Sequence, residues 1–166
     1  MTDVIRTERL VLRRFRRNDA ARLVALLNDL DVSRWLTAVP YPYENEDAVE
    51  FVESLADAQN AYAITCNSDL IGCIALGNEL GYWIEKGSWG QGYVTEAARA
   101  LVSVHFAKNN EEVKSGYHRG NERSKAVLSK LGFKAGDQYP AQVKATSEEV
   151  MIQGVSLSRS DWEAVQ

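Results

Sequence analysis

The sequence predicts a mixed α+β fold, and three observations carry that expectation. Two apolar, branched runs, Ala61 to Cys66 and Leu70 to Leu76, flank the polar turn Asn67-Ser68-Asp69 and read as a hairpin. From Val94 to Lys108 the residues Val94, Ala97, Ala98, Leu101, Val102, His105 and Phe106 recur at a period near 3.6, the mark of an amphipathic helix. Strand-like and helix-like segments alternate throughout, and no internal repeat, low-complexity block or Pro/Ser-rich linker divides them. Residues 1–166 are therefore expected to form one domain, long enough to bury about 70% of the unfolded surface without a metal or disulfide.

The elements follow in order. Arg9 to Phe15 is short, branched and aromatic enough for a strand. Asn18-Asp19 offers an N-cap, and Leu23, Leu26, Leu27 and Leu30 continue at helical spacing. Pro40-Tyr41-Pro42-Tyr43 reads as a rigid loop, because each proline fixes its own φ and restricts its predecessor. Asn45, Glu46 and Asp47 then suit a helix start whose apolar stripe is Phe51, Val52 and Leu55. After the hairpin, Glu79 to Ile84 extends the sheet. Past the long helix come a strand over Glu112 to His118, a helix over Ser124 to Leu131 stopped by Gly132, and a last strand over Val150 to Leu157.

Composition narrows the function classes. The formal charge of -4 argues against broad nucleic-acid binding. Arg13, Arg14, Arg16, Arg17 and Arg22 make the first segment locally basic, but with no interleaved aromatic platform they read as a solvated strand edge. No apolar run approaches the roughly 20 residues needed to span a bilayer, and Met1 to Arg6 lacks the apolar stretch of a secretory signal, so a cytoplasmic location is expected. Cys66 and Cys73 match no zinc or redox spacing and are expected to be free thiols. No metal site is predicted, and neither charge nor apolar pattern marks a dimer face.

The chemistry concentrates at Ser88-Trp89-Gly90-Gln91-Gly92-Tyr93-Val94-Thr95. A strand, a glycine loop and a helix start bring unpaired N–H donors and the positive end of the helix dipole together, which favours an anion. Glycines at 90 and 92 permit positive φ and leave no Cβ in the way. A dinucleotide fingerprint would need a third glycine where Thr95 stands, and a P-loop would need Gly-Lys-Ser/Thr. The spacing alone leaves a phosphate cradle and a packing turn both open.

Four stretches in order, "TERLVLRRFRRNDA", "PYPYENEDAVEFVE", "ELGYWIEKGSWGQGYVTEAARALV" and "NERSKAVLSKLGFK", resemble the GNAT acyl-CoA N-acyltransferase superfamily, within it the branch of ribosomal-protein N-terminal acetyltransferases. The resemblance implies a central, mostly antiparallel twisted sheet, splayed where acetyl-CoA binds and flanked by helices. It implies a pyrophosphate loop of the form Q/R-x-x-G-x-G/A over Trp89 to Val94, in which Trp89 and Val94 depart from the pattern. The amides of Gln91, Gly92, Tyr93 and Thr95 are then the expected donors, with Val94 as the side chain the cradle must accommodate. By position the resemblance assigns Trp83, Ile84 and Glu85 to the pantetheine edge, Asn121 to a coenzyme contact that can coexist with an N-cap, and Ser124 to the sulfur.

The implied reaction is direct attack of an amine on the thioester of acetyl-CoA, the only cosubstrate expected. A chain α-amine costs about 1 to 1.4 kcal/mol to deprotonate at pH 7, against roughly 4.6 for a lysine side chain, so a protein N-terminus makes the lighter demand on a base. Glu79 is the candidate base, with Glu148 and Glu149 as alternatives, and Ser124 is a hydrogen-bond donor to the departing sulfur. His118 could titrate near neutrality but also reads as a solvated strand end, and His105 falls on the core stripe of the long helix. Trp35, Tyr41, Tyr43 and Tyr82 offer aromatic walls for the acceptor, and equally suit a core. Three functions follow: acetylation of a protein N-terminus, acetylation of a small amine such as a polyamine, aminoglycoside or amino-acid analogue, or noncatalytic acyl-CoA binding.

Overall fold

A computed structural model of the chain describes residues 3–58 and 60–166, so Met1 and Thr2 of the opening segment lie outside the described residues. The chain begins with β1 (Val4–Arg6) and β2 (Val11–Arg13), then α1 (Ala20–Leu27), α2 (Leu30–Ser33) and α3 (Asn45–Ala58). Next come β3 (Ala61–Cys66), β4 (Asp69–Leu76), β5 (Leu80–Ile84) and α4 (Tyr93–Lys108). The last part holds β6 (Val113–His118), α5 (Glu122–Leu131), β7 (Lys134–Val143), β8 (Glu148–Leu157) and α6 (Arg159–Glu163).

These strands form two sheets, β1-β2-β3-β4-β5 and β6-β8-β7, in which every paired neighbour is antiparallel. The β3–β4 hairpin turns through Asn67 and Ser68 with φ of 50° and 71°, and Cys66 pairs with Asp69. Two consecutive positive φ values suit the right-handed twist of the flanking strands. β3 is buried on both faces. Tyr62 and Ile64 pack with β2, β4, α4, α5 and α6 in the main core, whereas Ala63 faces a second cluster built by α1 and α3. The main core draws on both sheets, with Leu12, Ile74, Val102, Leu128 and Leu157 almost wholly inaccessible. Gly132 closes α5 with φ 96°, and the Phe133 N–H donates back to the Leu128 carbonyl, the expected left-handed cap.

Three elements were not foreseen. β1 is only three residues long, α6 five, and β7 is almost entirely exposed. β7 is an edge strand, which is why it tolerates Pro140 and lacks an apolar stripe. The arginine cluster is also less solvated than its composition implies. Arg13 forms a bidentate pair with the buried Asp19, Arg14 stacks on the Tyr62 ring, and Arg22 reaches the Leu70 carbonyl and Glu85. Asp19 does not cap α1; its carboxylate accepts from the Arg16 N–H and from Arg13. His105 is half-buried rather than core, with Nε2 beside the Glu111 carbonyl at 2.8 Å. Both cysteines are free, Cys73 buried and Cys66 partly so. Among the described residues no helix is long and apolar enough to cross a membrane.

Candidate active site

The site is the seam between the two sheets. β5 and β6 share no ladder, and the Ser115 hydroxyl donates 2.7 Å to the Leu80 carbonyl at the start of β5. Register decides which backbone groups face the seam. The Glu85 N–H donates 2.8 Å to the Ile71 carbonyl and Ile84 lies opposite Gly72, so in the antiparallel alternation Trp83 and Glu85 turn their polar groups to β4. Tyr82 and Ile84 turn theirs to the seam. The Ile84 carbonyl there accepts from the Trp89 indole at 3.0 Å. A cavity of about 680 Å³ occupies the seam, lined from β5, the glycine loop, β6 and the start of α5.

At one end of the cavity, Gly90 and Gly92 have φ of 73° and 78°, and Gly92 is the N-cap of α4. Glycine cannot cap with a side chain, and the first intrahelical bond from this turn is Glu96 N–H to the Gly92 carbonyl. The amides just before Glu96 are left without intrahelical partners. Arg9, in the β1–β2 connection, braces the loop. Its guanidinium donates to the Gln91 carbonyl at 2.8 Å and to the Glu96 carboxylate at 2.7 Å, and lies 4.5 Å from the Tyr93 ring centroid. Glu96 also accepts from the Thr7 hydroxyl and the Arg9 N–H. Burial acts to raise the Glu96 pKa, but these bonds from Thr7 and Arg9 prevail and hold it below its ordinary value. Arg9 and Glu96 were not singled out from sequence. The available signal was a carboxylate in the first helical turn beside a glycine loop, which asks for a cation.

Across the seam, the Asn121 side chain caps α5 by accepting from the Ser124 N–H at 3.3 Å. The Ser124 hydroxyl lies 2.7 Å from the Tyr82 hydroxyl, so the two elements meet through a hydroxyl pair. Burial pushes the Tyr82 phenol up to about 12 against the opposing bond from Ser124, which keeps it protonated at neutral pH. Arg123 crosses back to the loop, its guanidinium 3.6 Å from the centroid of the Trp89 ring.

The other end of the cavity is built by the second sheet. His118 on β6 and Tyr139 on β7 both pair with Ile152 on β8, so the three share a face. Two residues along that face, Gly116 lies opposite Gly154. A Cβ at Gly116 would lie 3.2 Å from the Tyr139 hydroxyl and 2.8 Å from Ile152, so glycine is what lets Tyr139 lean over the strand. Trp35, after α2, meets the His118 ring edge-on at 5.9 Å, and the Thr37 carbonyl accepts from the Lys144 N–H, tying this segment to the end of β7. Glu79 stands exposed at the rim, where its charge, second to burial, raises the Tyr139 pKa.

The structure thus brings Glu79, Tyr82, Trp83, Ile84, Gly92, Tyr93, Val94, Thr95, Asn121, Ser124 and Trp35 to one cavity. Val94 lines it while packing partly on the main core. Five expectations change. Tyr43 is core, 5% exposed, with its backbone clasped by Asn28. Tyr41 is exposed outside the cavity. Glu85 turns its backbone to β4 and its carboxylate to Arg22 and Ser88. Gln91 lies outside the lining, with its carbonyl held by Arg9. His118 is 6% exposed and faces the cavity instead of ending a solvated strand. Among the described residues no cluster of three or more His, Cys, Asp or Glu could hold a metal.

A splayed pair of sheets with a glycine loop and helix start at one end of the seam is an acyltransferase architecture, and comparison with known proteins agrees. Residues 9–134 match the model of the acetyltransferase (GNAT) domain, and the chain belongs to that family. It is 29% identical to YdaF of Bacillus subtilis (strain 168), provisionally named a ribosomal N-acetyltransferase, over 76% of this chain and 78% of that one. An uncharacterized N-acetyltransferase, p20 of Bacillus licheniformis, is 24% identical over 96% and 98%. The fold superposes on RimL, a ribosomal L7/L12 α-N-protein acetyltransferase solved with coenzyme A, with a TM-score of 0.77 at 19% identity, covering 93% of this chain and 97% of that one.

Proposed function

We propose that the chain transfers the acetyl group of acetyl-CoA to a primary amine, foremost the α-amine of a protein N-terminus, by direct attack in a ternary complex. The observation that carries this reading is the seam itself: a cavity that runs from a left-handed glycine N-cap to a paired Tyr82 and Ser124. The amides of Gly92, Tyr93 and Thr95 face an anion the size of a pyrophosphate, with the Thr95 hydroxyl as a further donor. Of the amides in the implied loop, that of Gln91 is the least favoured. The seam-facing backbone of Tyr82 and Ile84 offers strand-like pairing to an amide-bearing arm, between the side chains of Trp83 and Asn121.

Acetyl-CoA would supply the activated thioester. The protein contributes placement and proton handling. Glu79 at the rim holds the incoming ammonium by charge and relays its proton to water, a small task for an α-amine. The Tyr82–Ser124 pair donates to the sulfur as the C–S bond breaks. RimL and YdaF, by their names, suggest a ribosomal-protein N-terminus as acceptor. The closed aromatic corner of Trp35 and His118 also favours a second reading, a compact small amine.

Calorimetric titration with CoA, followed by a thiol-release assay over N-terminal peptides and small amines, tests the reading. Saturable CoA binding and thiol release with peptides are expected. An absence of binding at millimolar CoA sinks the coenzyme assignment, and binding without thiol release favours a noncatalytic acyl-CoA module.

A further inference from the structure

Acetylation of an ammonium removes two protons from one nitrogen. The first leaves before attack and can pass to water at the open rim, where Glu79 stands. The second leaves as the C–N bond forms, inside a cavity from which water is being displaced. A group that takes this second proton has to be buried, free of other hydrogen bonds and open to the cavity.

His118 meets those conditions. It lies at the end of β6, directly across the seam from β5, and is 6% exposed. Among the described residues its ring makes no hydrogen bond, while its own carbonyl accepts from the Asn121 N–H and so starts the turn into α5. The ring is fixed by packing instead. Trp35 meets it edge-on at 5.9 Å, and Ile152 lies beside it across the ladder. We propose that His118 is the catalytic group that receives the proton shed by the acceptor nitrogen, with Trp35 as the positioning residue that orients its ring.

This rests on the amine-acetylating reading above and adds a residue to it. The neutral amine attacks the thioester carbonyl, and the C–N bond forms as the N–H proton moves to a His118 ring nitrogen. The C–S bond then breaks, the sulfur takes a proton from the Tyr82–Ser124 pair, and that pair recovers one from solvent. His118 releases its proton to solvent as product leaves, so each turnover gives one amide, one thiol and one proton.

The electrostatics keep the imidazole able to accept. Burial lowers the His118 pKa, so the ring is neutral at pH 7. The charged and titratable groups lining the same cavity are Glu79 at the rim, the Cys73 thiol, the phenols of Tyr82, Tyr93, Tyr117 and Tyr139, and Arg123 and Lys130 on α5, with Arg34 stacked on Trp35 at 5.1 Å. The pKa values of the Tyr82, Tyr93 and Tyr139 phenols and of the buried Cys73 thiol are all raised, so none of these four competes as a base. Arg34, Arg123 and Lys130 are cations that favour the neutral ring.

The test is the pH profile of kcat for wild type, His118→Ala and the control His105→Gln, with a peptide acceptor at saturation. Wild type and His105→Gln should share an acidic limb below pH 6.5. His118→Ala should lose about 100-fold or more in kcat and lose that limb. Its CoA affinity by calorimetry should be unchanged, and added imidazole should restore part of the rate. Trp35→Ala should lower kcat while keeping the limb. Activity of His118→Ala within threefold of wild type, or survival of its acidic limb, overturns the proposal. Loss of CoA affinity together with rate shows a structural role and overturns it equally. A wild-type protein that binds CoA but releases no thiol with any amine defeats the acetyl-transfer reading itself, and this proposal with it.

Discussion

The two ends of the cavity are built from different kinds of information. The end proposed for the coenzyme is local: Gly90, Gly92 and the start of α4 lie within one short stretch of the chain, and the positive φ values of the two glycines set its backbone. The end proposed for the acceptor is assembled from distant pieces, with Trp35, Glu79, His118, Tyr139 and Ile152 each on a different segment. One end presents backbone amides, the other side chains. Substitutions at the coenzyme end should therefore act on binding, and those in the middle and at the acceptor end on turnover.

The largest effect should come from Gly92→Asp. An L residue is strained at φ 78°, and the added charge opposes a pyrophosphate. CoA affinity should fall roughly 100-fold, about 2.7 kcal/mol, in a calorimetric titration. Ser124→Ala should leave that affinity nearly intact while kcat drops about tenfold, because it removes one hydroxyl of the Tyr82–Ser124 pair proposed to donate to the departing thiolate. Equal losses of CoA affinity in the two variants would break the division between binding and turnover.

Arg9→Ala sharpens it further. Arg9 holds the loop by its carbonyl and the helix by Glu96, without lining the cavity. Removing it should weaken CoA binding about fivefold, near 1 kcal/mol, and leave kcat at saturating acetyl-CoA within twofold. A fall in kcat with no change in CoA affinity would show that the brace serves the acceptor end.

The same contrast explains what the sequence disclosed. Periodicity and turn chemistry found the hairpin, α4 and the Gly132 cap because each is set by neighbours in the chain. β7 escaped because an exposed edge strand with Pro140 needs no apolar stripe. Tyr41 and Tyr43 were grouped with Trp35 on residue type, yet Tyr43 belongs under α1 and α3 and only Trp35 reaches the cavity. Position along β5 treats Trp83, Ile84 and Glu85 alike, and only the β4–β5 register separates Tyr82 and Ile84 from Trp83 and Glu85. His118 carried no local sign of its setting, since its partner across the ladder lies 34 positions away, at Ile152.

The smallest expected effect concerns pH. Glu96 is held below its ordinary pKa by Thr7 and Arg9, against burial that acts the other way. A carboxylate lowered on folding contributes stability that is fully present above its unfolded value, near 4.3, and is lost as pH falls through the folded value. Wild type should therefore melt higher than Glu96→Gln at pH 7, and the two melting temperatures should converge below about pH 4 as the carboxylate protonates and its bond to Arg9 loses charge. CoA affinity should show the same convergence in sign, since the brace that stabilises α4 also sets the loop. A gap that persists undiminished at pH 3 would mean that Glu96 acts through shape and hydrogen bonding alone, and that the coenzyme end owes nothing to this ion pair.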